Sequence, residues 1–486
     1  MSPWPQLVEL GIGETIGVVL GEREYKVALR GVEHLWEPDG WIEGNVDRRT
    51  LSDAKVVLEV DGEPVTLRHR PYELPHVVGD LQIYVETTRL WATACAFDPL
   101  PIQKDVRLSI QRDGWPWGPA SLQFAIRDYR WRASSYNNTW SALVPYNLLY
   151  YHRGEDYGAI PDELPVIAIV DGTVVASPVP TVRGSNSVVL RGDDGLTVHY
   201  AHMNIETITP DLAIGTRVGA GEVLGKTGCT WNGRRSQWAD PHLHVGFSRA
   251  LPNGEIPISP YPFLVGAYMR TYPDAVLPVA GGYHFTVPGR PVVLDASRTV
   301  IRAGERIRDV EWVCHDGTVR TGQVIDLVYD SPGQYVETLV VRTASGHEAR
   351  DYAHVRVYNP NAEPAGHETT AMPEPRRELA YGWVYASPVR GLVTGEPVTI
   401  WNRLVGTGGP FLSANVPGSA GAHSGGAVAG QAAATVDYGD GSVVASIGDA
   451  ADHCYAAPGL YTVHVRGQGA DGEPVMAALC VVVSAG

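Results

Sequence analysis

The chain has 486 residues, 44% of them apolar and 19% charged, which is room for three or four cored domains and too apolar for a largely disordered polymer. Its 38 basic against 54 acidic residues leave a net charge of −16, which argues against holding nucleic acid or an anionic membrane by a bulk positive field. No apolar run approaches the ~18 residues that a membrane-spanning helix needs.

The start, MSPWPQLVELGIGETIG, has neither a basic opening nor an apolar stretch, so no signal peptide is visible in it. From there to residue 135 apolar and polar residues alternate in short runs, as in Lys55–Val60, Leu81–Glu86 and Ser121–Ile126, with Asp-Gly turns between. This period of two with hairpin punctuation predicts an N-terminal β domain over 1–135, of unassigned role. Its tryptophans (Trp4, Trp36, Trp41, Trp91, Trp115, Trp117 and Trp131) suit either a sugar-stacking face or an aromatic core, and core and interface packing is the favoured reading.

Residues 136–275 are again strand-like, with runs at Pro165–Val170, Ser187–Leu190 and Leu196–Tyr200. A further β unit is expected over 276–360. Its Tyr329–Val341, YDSPGQYVETLVV, recurs near the end of the chain as Tyr455–Val465, YAAPGLYTVHV. The repeat predicts two copies of one β-sandwich, the second over 379–486, joined by a Pro/Glu-rich linker at 361–378. A Gly/Ala/Ser-rich stretch at 407–431 reads as a flexible insertion in the second copy. The five cysteines are scattered without a CxxC, which makes neither a disulfide framework nor a cysteine zinc site. Cys454 and Cys480 either pair or stand as two buried thiols.

The chemistry sits in the second segment. His152 and Asp156 are four apart, and His242 and His244 flank Leu243. On a strand, residues two or four apart share a face, so each pair is expected to present its side chains together. Two imidazole nitrogens and one carboxylate oxygen suit a zinc ion with an open fourth position. Such an ion polarises a carbonyl and acidifies water, and a nearby imidazole moves the proton, which together suit amide hydrolysis.

The order of these pieces is more telling than any one of them. His152-x-Gly154-x-Asp156 precedes Val166–Val174. Then come Val198-His-Tyr-Ala-His202-Met203, Val218–Gly228 with its spaced glycines, and Pro241-His-Leu-His244. Over about 110 residues this set resembles the lysostaphin/LytM-type zinc metallopeptidases, endopeptidases of bacterial cell walls. The resemblance implies one zinc ion per chain on His152, Asp156 and His244, with His202 and His242 as the catalytic histidines. It also implies a small antiparallel sheet with a groove across the metal. Tyr200 is expected to share a strand face with His202 and help line the groove, while His199 points the other way. The loop Cys229–Asp240 is longer than the family's usual turn, so Trp231 and Trp238 are expected at the groove. The pair Val245-Gly246 stands where Phe-Glu often follows the motif.

The aromatic-Gly-Asp-Gly turn and Tyr-x-x-Pro-Gly-x-Tyr strand resemble PKD-type immunoglobulin-like domains, closely in the second copy and less so around Trp312–Gly317 in the first. The expected architecture is therefore all-β and multidomain: an N-terminal β domain, a central antiparallel peptidase sheet and two PKD-like sandwiches. The expected substrate is peptidoglycan or a Gly-rich peptide, with no nucleic acid partner, and the expected place of work is extracytoplasmic. The alternative is a non-enzymatic scaffold, adhesin or particle component that keeps a zinc site.

Overall fold

The computed structural model describes residues 4–38, 49–94, 99–145, 149–179, 187–231, 234–235, 241–251, 254–358, 381–405, 434–446, 450–469 and 472–486. Strand accounts for 54% and helix for 5%, the all-β class that the alternation predicts. The expected 361–378 linker and 407–431 insertion lie outside the described residues.

The first unit is a sandwich of two four-stranded sheets. One runs in the order Gln6–Leu10, Val106–Arg112, Leu81–Thr88, His76–Val78, and the other joins Thr15–Leu20, Arg23–Pro38, Arg49–Val60 and Glu63–His69 in sequence. Alternation decides which side chains meet between them. Val56 and Leu58 of one sheet and Ile83, Val85, Leu108 and Ile110 of the other are all within 2% of full burial.

The expected run Ser121–Ile126 is not part of this sandwich. Gln123 and Arg127 donate their amides to the carbonyls of Ile169 and Pro165, and Ala125 O accepts from Ile167 N. Leu122, Phe124 and Ile126 sink into the core of the second unit. The alternation was real, but the partner strand lies downstream. The packing reading holds for part of the tryptophan set, while Trp36 is 38% exposed. Trp4, Trp91 and Trp117 are buried, and Trp4 and Trp117 pack on Phe263 at ring distances of 5.4 and 6.0 Å. Trp41 lies outside the described residues.

The second unit is built on one antiparallel sheet. Its order is Arg217–Val218, Gly172–Ala176, Val188–Gly192, Leu196–Ala201, His242–Leu251, Glu155–Gly158 and Asn137–Asn138. The long strand His242–Leu251 is central. One edge pairs with Leu196–Ala201, and the other pairs first with Glu155–Gly158 and then with Gly254–Ile258. Leu243, Val245 and Phe247 point into the core with Val198 and Tyr200. At about 1.5–3 kcal/mol for each fully buried large apolar side chain, this face fixes the register. A one-residue slip would send the histidines inward. The helix Tyr261–Thr271 closes the core.

Two sandwiches follow, with separate cores around Trp312 and around Tyr438 and Tyr455. The repeated motif does the same work in both. Tyr329 packs on Tyr335 at 4.7 Å and Tyr455 on Tyr461 at 4.2 Å. The second tyrosine of each pair donates its hydroxyl to a carbonyl four residues earlier, Ser331 O and Ala457 O. The facing sheets join through a parallel contact between Gln334 and Val475, so the sandwiches share one continuous sheet. Cys454 and Cys480 are free thiols, the first exposed and the second buried.

The units are also tied to one another. Arg70 pairs with Asp295 at 2.8 Å, and Arg132 with the buried Asp351 at 3.2 Å. Among the described residues no helix is long and apolar enough to cross a membrane.

Candidate metal centre

His152 and Asp156 do not ride on a single strand. His152 follows the strand Leu149–Tyr151 and is held by its backbone, its amide donating to Ala142 O and its carbonyl accepting from Ser141 N. The chain then bends at Arg153-Gly154 and enters Glu155–Gly158, where Asp156 lies opposite His244. Gly154 is obligatory at the bend, because a Cβ there would stand 2.6 Å from His244 Cε1 and 2.6 Å from Val245 O. Register brings the rest of the cluster together. Asp156, His244 and Ala201 form one row across three strands, and His242 lies opposite Gly158 on the same face.

Three ligand atoms converge. His244 Nδ1 is 2.8 Å and His152 Nε2 3.1 Å from Asp156 Oδ1, and the two nitrogens are 3.1 Å apart. The three residues' ligand atoms all lie within 4.8 Å of one another. His152 Nδ1 sits 3.3 Å from Thr139 O. With that nitrogen donating, Nε2 is the one left to accept a metal. The other carboxylate oxygen, Oδ2, takes Asn138 Nδ2 at 3.3 Å and the Tyr136 hydroxyl at 3.5 Å. Two nitrogens and one carboxylate oxygen, with His152 and Asp156 each oriented by a further partner, suit a zinc ion. Burial alone would raise the Asp156 carboxyl. The imidazoles of His152 and His242, with hydrogen bonds from His152 and His244, outweigh it and hold the group well below the usual carboxylate range. Asp156 is therefore an anion when it meets a cation.

The other two histidines stand beside this trio. The His202 ring centroid is 4.4 Å from that of His242 and 6.2 Å from that of His244. His202 Nδ1 is 2.7 Å from Thr230 O. Burial, then the neighbouring His242 and His244, push its pKa down to about 3, so its imidazole is neutral at neutral pH. His242 is 6% exposed, with Nε2 3.7 Å from Asp156 Oδ1.

Two expectations about the groove need correcting. Tyr200 does not line it. The side chain is fully buried on the core face, and its hydroxyl accepts from Ile169 N at 2.8 Å. Tyr200 and His202 part company because the strand ends at Ala201 and His202 takes a left-handed conformation, φ 67°. The turn swings the ring out of alternation, toward His242. His199, expected on the other side, lies on the face of His244, paired with Gly246 and exposed. Trp231 is described only as backbone, in a short hairpin of Thr230–Trp231 with Arg234–Arg235, and Trp238 lies outside the described residues. Cys229 is buried and donates its amide to Asn204 Oδ1 at 3.2 Å.

Sequence reasoning missed the residues that orient the cluster: Tyr136, Asn138, Thr139 and the Thr230 carbonyl. Only Gly154 was marked, by its place inside the His-x-Gly-x-Asp pattern.

Residues 150–258 match the family model of peptidase family M23, and residues 275–357 match that of the PKD domain. The chain thus carries an M23-family domain followed by a PKD domain. The PKD match falls on the copy whose turn departs more from the motif. No curated protein matches the chain. Solved structures similar to parts of it include a candidate glycyl-glycine endopeptidase lytM of Ruminococcus gnavus, at 28% identity over 24% of this chain and 47% of that one, TM-score 0.21. A mutant catalytic domain of the prophage-encoded M23 protein EnpA of Enterococcus faecalis is 26% identical over 23% of this chain and 76% of its own, TM-score 0.17. Csd3 of Helicobacter pylori is 18% identical over 46% of this chain and 56% of its own, TM-score 0.20. This chain therefore spans less than half the length of the first of these.

Proposed function

We propose that the M23-family domain is a zinc-dependent endopeptidase that hydrolyses peptide bonds of bacterial peptidoglycan. The observation that carries this reading is the convergence of His152 Nε2, Asp156 Oδ1 and His244 Nδ1 within 4.8 Å, inside the segment that matches a peptidase family. One zinc ion per chain held there supplies Lewis acidity toward a carbonyl oxygen and toward water. His202 donates through Nδ1 to Thr230 O, which makes Nε2 the nitrogen that takes a proton. Burial, with His242 and His244 beside it, keeps this imidazole neutral at neutral pH. His242, packed between His202 and Tyr136, donates a hydrogen bond to the oxygen that gains charge, and the proton taken up by His202 goes to the leaving amine. Peptidoglycan is the substrate class associated with the family resemblance, and it puts the work outside the cytoplasm. A Gly-rich peptide is the runner-up.

Mass spectrometry of new amino termini, after incubation with purified peptidoglycan sacculi, tests the reading. New termini are expected from the zinc-loaded protein and not from His242→Ala. Bound zinc with no new termini from sacculi or Gly-rich peptides would overturn it and favour a scaffold.

A further inference from the structure

The residue that braces the metal cluster from behind is itself braced by a different domain. Tyr136 is 5% exposed. Its hydroxyl is 3.5 Å from Asp156 Oδ2, and its ring lies 4.9 Å from that of His242. Its carbonyl accepts from Gly158 N at 3.1 Å, the residue opposite His242 in the sheet. One side chain thus touches a metal-cluster carboxylate and a candidate catalytic imidazole.

The far side of Tyr136 is covered by the last sandwich. Trp383 meets it edge-on, with ring centroids 5.4 Å apart and planes at 68°. Trp383 is 1% exposed, and its Nε1 donates to the Tyr283 hydroxyl of the first sandwich at 3.0 Å. The strand that carries it, Tyr381–Ser387, is pinned to the segment before Tyr136. Ser135 N donates to Val384 O at 3.0 Å, Val384 N donates to Ser135 Oγ at 2.9 Å, and Ser134 bridges to Tyr385. Ile160 and Tyr385 complete the cluster. A buried tryptophan fixed at its nitrogen by one domain and at its backbone by another has little freedom left, and neither has the ring beneath it.

We propose that Trp383, acting through Tyr136, sets the orientation of the His242 imidazole, so that the last sandwich is a working part of the peptidase site and not an appended module. Trp383 and Tyr136 are positioning residues; neither is given a proton to move. The inference rests on the reading of His242 as a proton-handling group, but the contact itself can be tested without turnover.

The experiment uses the zinc-loaded full chain with 15N-labelled histidine. The His242 ring signals are assigned by their loss in His242→Ala. Trp383→Ala should keep one zinc per chain, shift or broaden the His242 signals, and lower kcat roughly tenfold or more with KM nearly unchanged, as expected for a misplaced reacting group. Trp383→Phe, which keeps an aromatic edge, should restore both. Should Trp383→Ala lose its native near-ultraviolet circular dichroism, Trp383→Leu carries the same test. Unchanged His242 signals in the folded variant would overturn the proposal. A wild-type protein that binds zinc and cuts nothing would instead overturn the peptidase reading, and the ring signals would still decide the contact.

Discussion

Two of the places where a described histidine meets a buried carboxylate do opposite things with it. In the first PKD sandwich, His315 Nδ1 lies 2.7 Å from Glu337 Oε1, close to the 2.8 Å between His244 and Asp156. Yet Glu337 is saturated. It also takes the His315 amide at 2.7 Å and the Tyr329 hydroxyl at 2.8 Å. The hydrogen bond to Glu337 raises the His315 pKa and outweighs the burial that opposes it. The result is a closed network that locks a turn. At Asp156 the nearest partners are imidazoles, nitrogens that release a proton in exchange for a metal, and a second imidazole nitrogen stands beside the first. Composition and spacing therefore do not separate a structural His–carboxylate pair from a metal centre. Convergence of several exchangeable donors does.

Substitutions sharpen that contrast, the largest effect first. His244→Ala should lose zinc and cleavage together, with activity falling on the order of a thousandfold or more. His242→Ala should lose activity by about 10²–10⁴ while keeping most of its zinc. Zinc content by plasma mass spectrometry beside a cleavage assay reads both, and equal zinc loss would break the ligand assignment. In the sandwich, Glu337→Ala should cost roughly 2–4 kcal/mol of stability, because it leaves three donors without their acceptor. Chemical denaturation should show the loss, with zinc content and turnover unchanged. Gly154→Ala should lower stability and weaken zinc binding roughly 10–100-fold, since the new Cβ would press on both the His244 ring and the Val245 carbonyl. Competition with a fluorescent chelator measures that shift.

A third buried carboxylate tests the role of burial alone. Glu86 joins the N-terminal sandwich to the second unit by accepting from Ser109 Oγ at 2.5 Å and Ser259 N at 2.8 Å. Burial raises its pKa to about 7, against these and other favourable contacts. A carboxyl raised on folding binds its proton more tightly in the native state. Its contribution is whole below the ordinary value of 4.5 and is lost as pH rises through about 7. The full span is at most about 3 kcal/mol. Thermal melts of Glu86→Gln should flatten that slope between about pH 5 and pH 7. A slope equal to wild type would assign it to other groups.

Much of this was legible in the residues. Alternation marked the strands, and the Tyr-x-x-Pro-Gly-x-Tyr repeat marked two sandwiches, because both patterns reflect contacts close in sequence. The ordered His-x-Gly-x-Asp, Tyr-x-His and His-x-His pieces named the residues that the fold brings together. Errors came where a side chain's direction depends on a local break or a distant partner. Strict alternation put Tyr200 with His202, but the left-handed turn at His202 ends the alternation there. The run Ser121–Ile126 looked like one more strand of its neighbours, and its partner lies beyond residue 164. Nothing in the sequence linked Trp383 to Tyr136, because that contact joins segments almost 250 residues apart in the chain.

We expect His152, Asp156 and His244 to hold a zinc ion. Extended X-ray absorption at the zinc edge of the full chain tests it most directly. One zinc per chain is expected, with two imidazole nitrogens at about 2.0–2.1 Å, light oxygen neighbours and no sulfur, a spectrum that His244→Ala abolishes. A sulfur neighbour at about 2.3 Å, which would bring in Cys229, or a spectrum indifferent to His244, would contradict it.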